Sequence, residues 1–247
     1  MIKAEIQQLR ALKDKRARDE ERVFIAEGEK LVGEILNSHF VVRKVYSTDE
    51  KLRCANIEHV TKQEMERISQ LTTPTSTLAV VEQPRYTLST SKLKGKLSLA
   101  LDGVQNPGNL GTIVRLADWF GVEDIICSKE CADCYNPKVV QATMGAILRV
   151  RIHYVDDLAK VLEEAKTMDM NIYGTLLDGK NIYNDDSLSQ SGIIVMGNEG
   201  RGVSEECRNT LTHKLLIPPY PADCPTSESL NVAMATGIIL SEFRRRG

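Results

Sequence analysis

The sequence predicts an α/β protein of two domains, the larger built on a mainly parallel sheet with helices on both faces. Two observations predict this fold. Short apolar runs alternate with amphipathic helical patterns from Leu97 onwards, and a smaller α/β pattern precedes them. Alternating strands and helices favour a parallel sheet covered on both faces. A polar stretch at 83–92 separates the two patterns, so we predict domains at 1–93 and 94–247.

The smaller domain begins with a charged helix over about 3–20, in which Ile6, Leu9 and Leu12 recur near helical spacing. An apolar strand starting at Phe24 leads into an amphipathic helix that ends at Leu36. The remaining predicted elements are a strand at 41–46, a helix at 62–71 and a strand at 78–82.

The larger domain begins with a strand at 97–101, followed by a helix whose apolar face carries Ile113, Leu116, Ala117 and Phe120. Pro137 opens a further helix, since proline is tolerated in the first helical turn. The other predicted strands are 124–127, 172–176, 193–196 and 215–217, and the other helices are 158–168 and 229–244.

The composition is that of a globular protein, with 247 residues, 42% hydrophobic and 27% charged. No apolar run approaches the length needed to span a bilayer, and the first residues lack the apolar core of a signal peptide. We therefore expect a cytoplasmic protein with no membrane segment. The six cysteines are expected to be reduced thiols, and Cys131 and Cys134 lack a second pair for zinc, so we expect no metal.

The net charge of −2 does not by itself indicate a nucleic-acid partner, but local charge matters more than the sum. The stretch from Lys3 to Arg22 holds seven basic residues among five acidic ones. This pattern fits a solvated helix face with ion pairs, and it also fits a grip on RNA. The sequence leaves both interpretations open.

Three unusual segments follow predicted strands, at the strand ends where ligands bind in parallel sheets. The first, 101–115, turns through Asn106-Pro107-Gly108 into a helix for which Asn109 is the expected N-cap. Arg115 points away from the apolar face of that helix. Turn and cap chemistry alone would explain this segment.

The second segment, 195–204, places Glu199 among three glycines after a buried strand, and Ser204 is expected to cap a short helix. It lacks the order of a dinucleotide fingerprint and of a phosphate-binding P-loop. The third segment, 216–233, contains four prolines and ends with Ser229 and Asn231 at a helix start. Capping explains one of these two polar residues and leaves the other to a different role.

Together, NPGNLGTIVR, MGNEGRG and IP…SLNVA resemble the three motifs of SpoU-type RNA 2′-O-ribose methyltransferases, in the SPOUT superfamily. Their order and spacing match as well, since Gly197 and Ile217 are twenty residues apart. The resemblance covers about 95–247. The segment from Phe24 to Lys30 is similar to the ribosomal-protein-like RNA-binding domain often attached to these enzymes.

The resemblance implies a deep trefoil knot, a homodimer and S-adenosyl-L-methionine as the methyl donor. It implies that the backbone around Thr175, Gly197, Ile217 and Leu230 holds this cofactor. The polar residues that the family uses at its reaction centre correspond to Asn109, Arg115, Glu199, Ser229 and Asn231. One departure is the stretch between Pro218 and Ser229, which is longer than in the family and lacks its glycine.

The predicted function is therefore 2′-O-methylation of a ribose in tRNA or rRNA, and the extra N-terminal domain favours rRNA. Arg115 is expected to bind a phosphate and stabilise the developing alkoxide, because a guanidinium holds its proton too firmly to act as a base. A phosphate or a water would then take the proton. The main alternative is a non-enzymatic RNA-binding protein with the same fold. A nucleotide-dependent oxidoreductase is disfavoured because the fingerprint is absent.

Overall fold

The computed structural model describes residues 1–185, 188–221, 227 and 229–246. The strands within this part of the chain are β1 (Val23–Glu27), β2 (Val42–Ser47), β3 (Ile57–His59), β4 (Thr77–Glu82), β5 (Leu97–Asp102), β6 (Asp124–Ser128), β7 (Arg151–Val155), β8 (Ile172–Asn181), β9 (Gly192–Gly197) and β10 (His213–Leu216). The helices are α1 (Lys3–Ala11), α2 (Lys15–Glu21), α3 (Glu29–Leu36), α4 (Lys62–Ile68), α5 (Pro107–Trp119), α6 (Pro137–Ala142), α7 (Leu158–Thr167), α8 (Glu205–Arg208) and α9 (Val232–Arg245). None of these helices combines the length and the apolar character needed to cross a bilayer.

The chain divides into two compact units, one formed by Met1–Arg85 with Asp133–Leu148 and the other by Tyr86–Ala132 with Arg149–Gly247. The predicted boundary at 93/94 lies a few residues beyond the change of unit at 85/86. The segment 133–148, which carries α6, belongs to the first unit although the sequence analysis assigned it to the second domain. Its apolar side chains Val140, Ile147 and Leu148 join the core under β1 and α3, and this burial holds the segment there.

The first unit is built on a four-stranded sheet in the order β1-β4-β2-β3, antiparallel except for the β2–β3 pair. Its N-terminal charged segment forms two helices, so the prediction of one helix over 3–20 is wrong. Asp14 breaks it, because its side chain accepts a hydrogen bond from the Arg16 amide and starts α2. Arg18 holds the turn from the other side by donating to the Leu12 and Lys13 carbonyls.

The second unit is built on a parallel sheet in the order β10-β8-β9-β5-β6-β7. Adjacent residues of β8 show that both faces are covered. Ile172 packs in the apolar cluster that includes Leu162 of α7, whereas the Tyr173 ring lies 4.9 Å from the Phe243 ring of α9. Because neighbouring strand residues point to opposite faces, α7 and α9 lie on opposite sides of the sheet. The predicted α/β class is confirmed.

Two edge strands, β3 and β7, are absent from the sequence prediction. Each is short, and β7 alternates Arg151 and His153 with apolar residues instead of forming an apolar run. Both polar side chains bind Asp124 on neighbouring β6: Arg151 Nε lies 2.8 Å and His153 Nε2 lies 3.0 Å from Oδ1. The polar residues of β7 are therefore explained by their hydrogen bonds to the buried Asp124 carboxylate. Hydrophobic periodicity does not detect a strand of this kind.

Candidate active site

The three segments singled out in the sequence follow β5, β9 and β10 at the carboxyl edge of the parallel sheet. Strands β5 and β9 are neighbours, and their last residues, Asp102 and Gly197, are in register. The third segment starts two strands away, because β8 lies between β9 and β10. Its end nevertheless returns to the first segment, since Asn231 Nδ2 donates to Asn109 Oδ1 at 3.0 Å.

Asn106, and not Asn109, is the N-cap of α5, which corrects the sequence prediction. Its Oδ1 accepts from the Gly108 amide at 2.9 Å and from the Asn109 amide at 3.1 Å, and Pro107 follows in the first turn. Proline at the first helical position was the available signal, because it places the cap one residue earlier. The Asn109 side chain is consequently free to enter the site.

Asn109, Glu199 and Asn231 form one chain of hydrogen bonds with a fixed direction. Asn231 caps α9 through Oδ1, which accepts from the Ala233 and Met234 amides at 3.0 and 3.3 Å. Its Nδ2 must then face Asn109, and the Asn109 Nδ2 must in turn donate to Glu199 Oε1, at 2.7 Å. The N-terminus of α9 thus orients two amides so that they end on the Glu199 carboxylate.

Arg115 lies on the exposed face of α5, as predicted, and makes no side-chain hydrogen bond or ion pair with another described residue. Ser229 is also exposed, at the start of the stretch that leads into α9. Both are therefore available to a substrate. The path of the long Pro219–Glu228 loop falls partly on residues 222–226 and 228, which lie outside the described residues.

The predicted cofactor positions occupy the same edge of the sheet. Gly197 ends β9, Ile217 directly follows β10, and Leu230 is half exposed beside the α9 cap. Thr175 stands where β8 leaves its pairing with β9, and its hydroxyl donates to the Val195 carbonyl at 3.3 Å. Gly197 also has a packing role within the chain, because an added Cβ would come 2.3 Å from the Gly202 and Val203 backbone.

Asn198 is a site residue that the sequence analysis missed. Its Oδ1 accepts from the amides of Gly200 and Arg201, at 2.9 and 3.1 Å, and its Nδ2 donates to the Gly103 carbonyl at 2.7 Å. The two bonds to Oδ1 close the loop that carries Glu199, and the bond from Nδ2 joins this loop to the loop after β5. The backbone of Asn198 and Gly202 adds a reciprocal pair of hydrogen bonds at 2.9 Å.

Two further polar side chains fix the ends of these loops. Asp102 Oδ2 accepts from the Ser204 amide at 2.7 Å, and Ser204 caps α8 as predicted. Ser128 Oγ accepts from the Gly103 amide at 3.0 Å, and Gly103 has a φ of 72°, which favours glycine. These contacts connect positions far apart in the chain, and no short motif signals them.

Both members of the Cys131 and Cys134 pair are buried. Cys131 is buried, and its thiol donates to the Leu101 carbonyl at 3.2 Å. A hydrogen bond with the Cys127 thiol lowers the pKa of the Cys131 thiol to about 7, against the opposing effect of burial. The described cysteines form no disulfide with one another.

Comparison with known proteins identifies the family. Residues 96–241 match the model of the SpoU rRNA methylase family, and residues 3–79 match an MRM3-like substrate-binding domain. The chain belongs to the SpoU rRNA methylase family. As a member of this family, it is an RNA methyltransferase that uses S-adenosylmethionine, which confirms the predicted enzyme class and cofactor.

Three similar proteins of known sequence or structure match nearly the whole chain. A Bacillus subtilis protein named 23S rRNA (guanosine(2553)-2′-O)-methyltransferase RlmP is 29% identical over 94% of this chain and 93% of its own length. A putative TrmH-family RNA methyltransferase from Porphyromonas gingivalis is 36% identical, with a TM-score of 0.89 over 100% and 99% of the two chains. An rRNA methyltransferase from Sinorhizobium meliloti, solved with AdoMet bound, is 30% identical, with a TM-score of 0.85 over 99% and 95%.

The donor groups at this edge of the SpoU sheet fit S-adenosylmethionine. Strand β8 pairs with β9 only through residues 172–174, and its register with β10 passes from Gly174 directly to Lys180. The main-chain groups of 175–179 therefore fall outside both strand registers. Exposed apolar side chains of Leu230 and Met234 lie near the α9 cap. Main-chain donors and acceptors together with apolar side chains are the groups from which ligand sites are built.

Proposed function

We propose that this chain methylates the 2′-oxygen of one ribose in large-subunit ribosomal RNA, with the Asn109–Glu199–Asn231 chain and Arg115 as its reaction centre. The directed chain of hydrogen bonds that ends on Glu199 carries the proposal, because it orients a carboxylate at the carboxyl edge of the sheet. Ribosomal RNA is favoured over tRNA because the B. subtilis relative, matched over 93% of its length, is named for 23S rRNA.

Thr175, Gly197, Ile217 and Leu230 would hold the cofactor. Bound S-adenosylmethionine supplies an electrophilic methyl group on a sulfonium. The protein must then align the ribose oxygen with that methyl group, and alignment can contribute about 7–11 kcal/mol to lowering the barrier.

Each polar residue has a defined task in this proposal. One Glu199 oxygen accepts from Asn109, so the other remains for a ribose hydroxyl. Arg115 binds the phosphate beside the target ribose and stabilises the alkoxide that develops on O2′. The proton passes to that phosphate or to a water, since a guanidinium is not a base at neutral pH. Ser229 donates a hydrogen bond to the ribose or phosphate.

Changing Arg115 to alanine tests this assignment. We expect methyl transfer to unmodified 23S rRNA transcripts to be abolished, while the affinity for S-adenosylmethionine, measured by calorimetry, stays within a few-fold. Thr112→Ala, one turn earlier on the same exposed face, is the control and should keep full activity. A robustly active Arg115→Ala variant would remove Arg115 from the mechanism.

Mapping 2′-O-methyl groups in total RNA with and without the protein tests the substrate. A site in 23S rRNA that depends on the protein is expected, and a dependent site only in tRNA would contradict the rRNA assignment.

We further propose a cytoplasmic homodimer with a trefoil knot. The dimer is supported by exposed Trp119 on α5 and Met234 on α9, because these two helices pack against each other.

A further inference from the structure

The basic N-terminal stretch separates into two groups of cations in the structure. Lys15 and Arg16 pair with Asp19 and Glu20 at 2.6 and 2.8 Å, and buried Arg18 donates to Asp133 at 2.6 Å. Arg10 and Lys13, by contrast, are exposed and form no ion pair with a described side chain. The ion-paired interpretation of this stretch therefore holds only for its second part.

The unpaired cations face a cleft of about 350 Å³ between the ends of α1 and α4. A third cation, Arg67 in the last turn of α4, is also unpaired among the described residues. We call this the Arg10–Arg67 cleft; its lining residues are Arg10, Lys13, Glu66, Arg67, Ser69 and Gln70. Three cations against one carboxylate give it a positive potential.

Hydrogen bonds hold the two walls of this cleft together. Gln70 Nε2 donates to the Leu9 carbonyl at 3.0 Å, which ties the end of α4 to α1. Buried Glu27 accepts from Ser69 Oγ and from the Gln70 amide, both at 2.7 Å. Arg18 fixes the turn that carries Lys13 by donating to the Lys13 carbonyl at 2.7 Å. The cations thus stand on a rigid base, which lowers the ordering cost of binding an anion.

Stabilisation of helix ends offers a competing explanation. Arg10 and Arg67 lie in the last turns of their helices, where a cation favours the helix dipole. This effect does not account for Lys13, which lies outside both helices, nor for the meeting of three unpaired cations in one cleft. Binding of an extended polyanion accounts for all three.

We propose that the Arg10–Arg67 cleft binds the phosphate backbone of the RNA substrate, independently of base sequence. The proposal rests on the proposed function, because it takes RNA as the substrate. Contacts to phosphates set the position and orientation of a nucleic acid without reading its bases. The cleft would therefore contribute affinity for the RNA and leave the choice of nucleotide to the reaction centre.

The test replaces the three cations by neutral helix formers in the variant Arg10→Gln/Lys13→Gln/Arg67→Gln. Lys15→Gln/Arg16→Gln is the matched control, because these nearby cations are already neutralised. Binding of a labelled 23S rRNA fragment that accepts methyl groups is followed by fluorescence anisotropy over a range of salt concentrations. We expect the triple variant to bind about 10- to 100-fold more weakly near 0.1 M salt, with a log–log salt slope smaller by roughly 2–3.

Further measurements separate this role from a structural one. The triple variant should keep the thermal midpoint and the cofactor affinity of the wild type, and its KM for RNA should rise while kcat changes by less than about twofold. Equal RNA affinities and salt slopes for the triple variant, the control and the wild type would overturn the proposal. A wild-type protein that methylates neither rRNA nor tRNA would instead refute the proposed function.

Discussion

Asn231 performs two tasks with one side chain, since its oxygen caps α9 and its nitrogen orients Asn109. The two tasks are separable, because an aspartate keeps the cap oxygen and loses the donor. Asn231→Asp should leave the free energy of unfolding within about 0.5 kcal/mol of wild type. It should lower kcat/KM by about 10- to 100-fold, since a hydrogen bond in a chain ending on a charged group contributes about 1.5–3 kcal/mol.

Urea unfolding and methyl-transfer kinetics on the same preparation check this prediction. Asn231→Ala is the companion variant, because it removes the cap as well and should also cost about 1 kcal/mol of stability. An Asn231→Asp enzyme with wild-type kcat/KM would show that the direction of the hydrogen-bond chain is unimportant. The resemblance to the SpoU motifs identified Asn109, Glu199 and Asn231, but the sequence could not predict the order in which their side chains are hydrogen-bonded. The bonded pairs are 90 and 122 positions apart.

Asp124 is a buried carboxylate at the start of β6, away from the carboxyl edge of the sheet, and its role is structural. Burial alone would raise its pKa, but hydrogen bonds from His153 and Arg151 outweigh that effect and hold the pKa of Asp124 well below its usual range. A depressed pKa in the folded state contributes stability above the unfolded pKa of about 4, and this contribution is lost as the pH falls below it.

Asp124→Asn should therefore cost about 1.5–3 kcal/mol of unfolding free energy at pH 7, because the buried His153 ring and the partly exposed Arg151 guanidinium lose a charged acceptor. The difference from wild type should shrink as the pH is lowered below about 4. Urea unfolding at a series of pH values measures both effects. Glu123→Gln removes a neighbouring exposed partner of Arg151 and should cost at most about 1 kcal/mol. A difference that grows towards acid pH would contradict the assignment.

At the scale of elements, the loop after β9 depends on Asn198. Its side chain makes three hydrogen bonds, two inside the loop and one to the Gly103 carbonyl. At about 1 kcal/mol each, their loss in Asn198→Ala should cost about 2–3 kcal/mol of stability. Asn198→Asp keeps both acceptors inside the loop and loses only the donor, so its cost should be about 1 kcal/mol.

Denaturant unfolding of both variants tests this order, and Arg201→Ala in the same loop is a control expected to lie within about 0.5 kcal/mol of wild type. Equal stabilities of the alanine and aspartate variants would show that the bonds inside the loop contribute nothing.

Elements with strong apolar patterns, such as β5 and β9, were predictable from the sequence. The break after α1 and the edge strands β3 and β7 were not, because local caps and polar partners determine them.

At the scale of the whole molecule, α5 and α9 present apolar side chains to solvent although they pack against each other. Trp119 is 82% exposed and Met234 is 63% exposed. Large exposed apolar groups on adjacent elements are typical of interaction surfaces. In the proposed homodimer these side chains lie at the interface. Trp119→Glu and Met234→Glu should each shift the protein from the mass of two chains to the mass of one.

Sedimentation velocity measures this change directly. Leu177→Glu is the control, because Leu177 is similarly exposed at 77% but lies on β8. A wild-type protein with the mass of one chain would refute the dimer, and dissociation by Leu177→Glu alone would place the interface elsewhere. The sequence predicts two domains, at 1–93 and 94–247. It did not reveal that 133–148 belongs to the first unit. The contacts that hold this segment there join residues more than a hundred positions apart, and the stacked rings of Phe24 and Tyr135 are an example.

The placement of 133–148 has a consequence for biosynthesis. A ribosome makes β1, α3 and β4 long before it makes α6, and it has completed β5, α5 and β6 in between. Until residue 148 has emerged, the nascent first unit lacks Val140, Ile147 and Leu148 and exposes the apolar surface that they cover. Domains usually fold as units in the order of synthesis, with exposed apolar surface as the main hazard. The first unit cannot complete its core before residues 133–148 have been synthesised, and by then β5, α5 and β6 of the second unit have also been made. The two units are therefore expected to complete folding together.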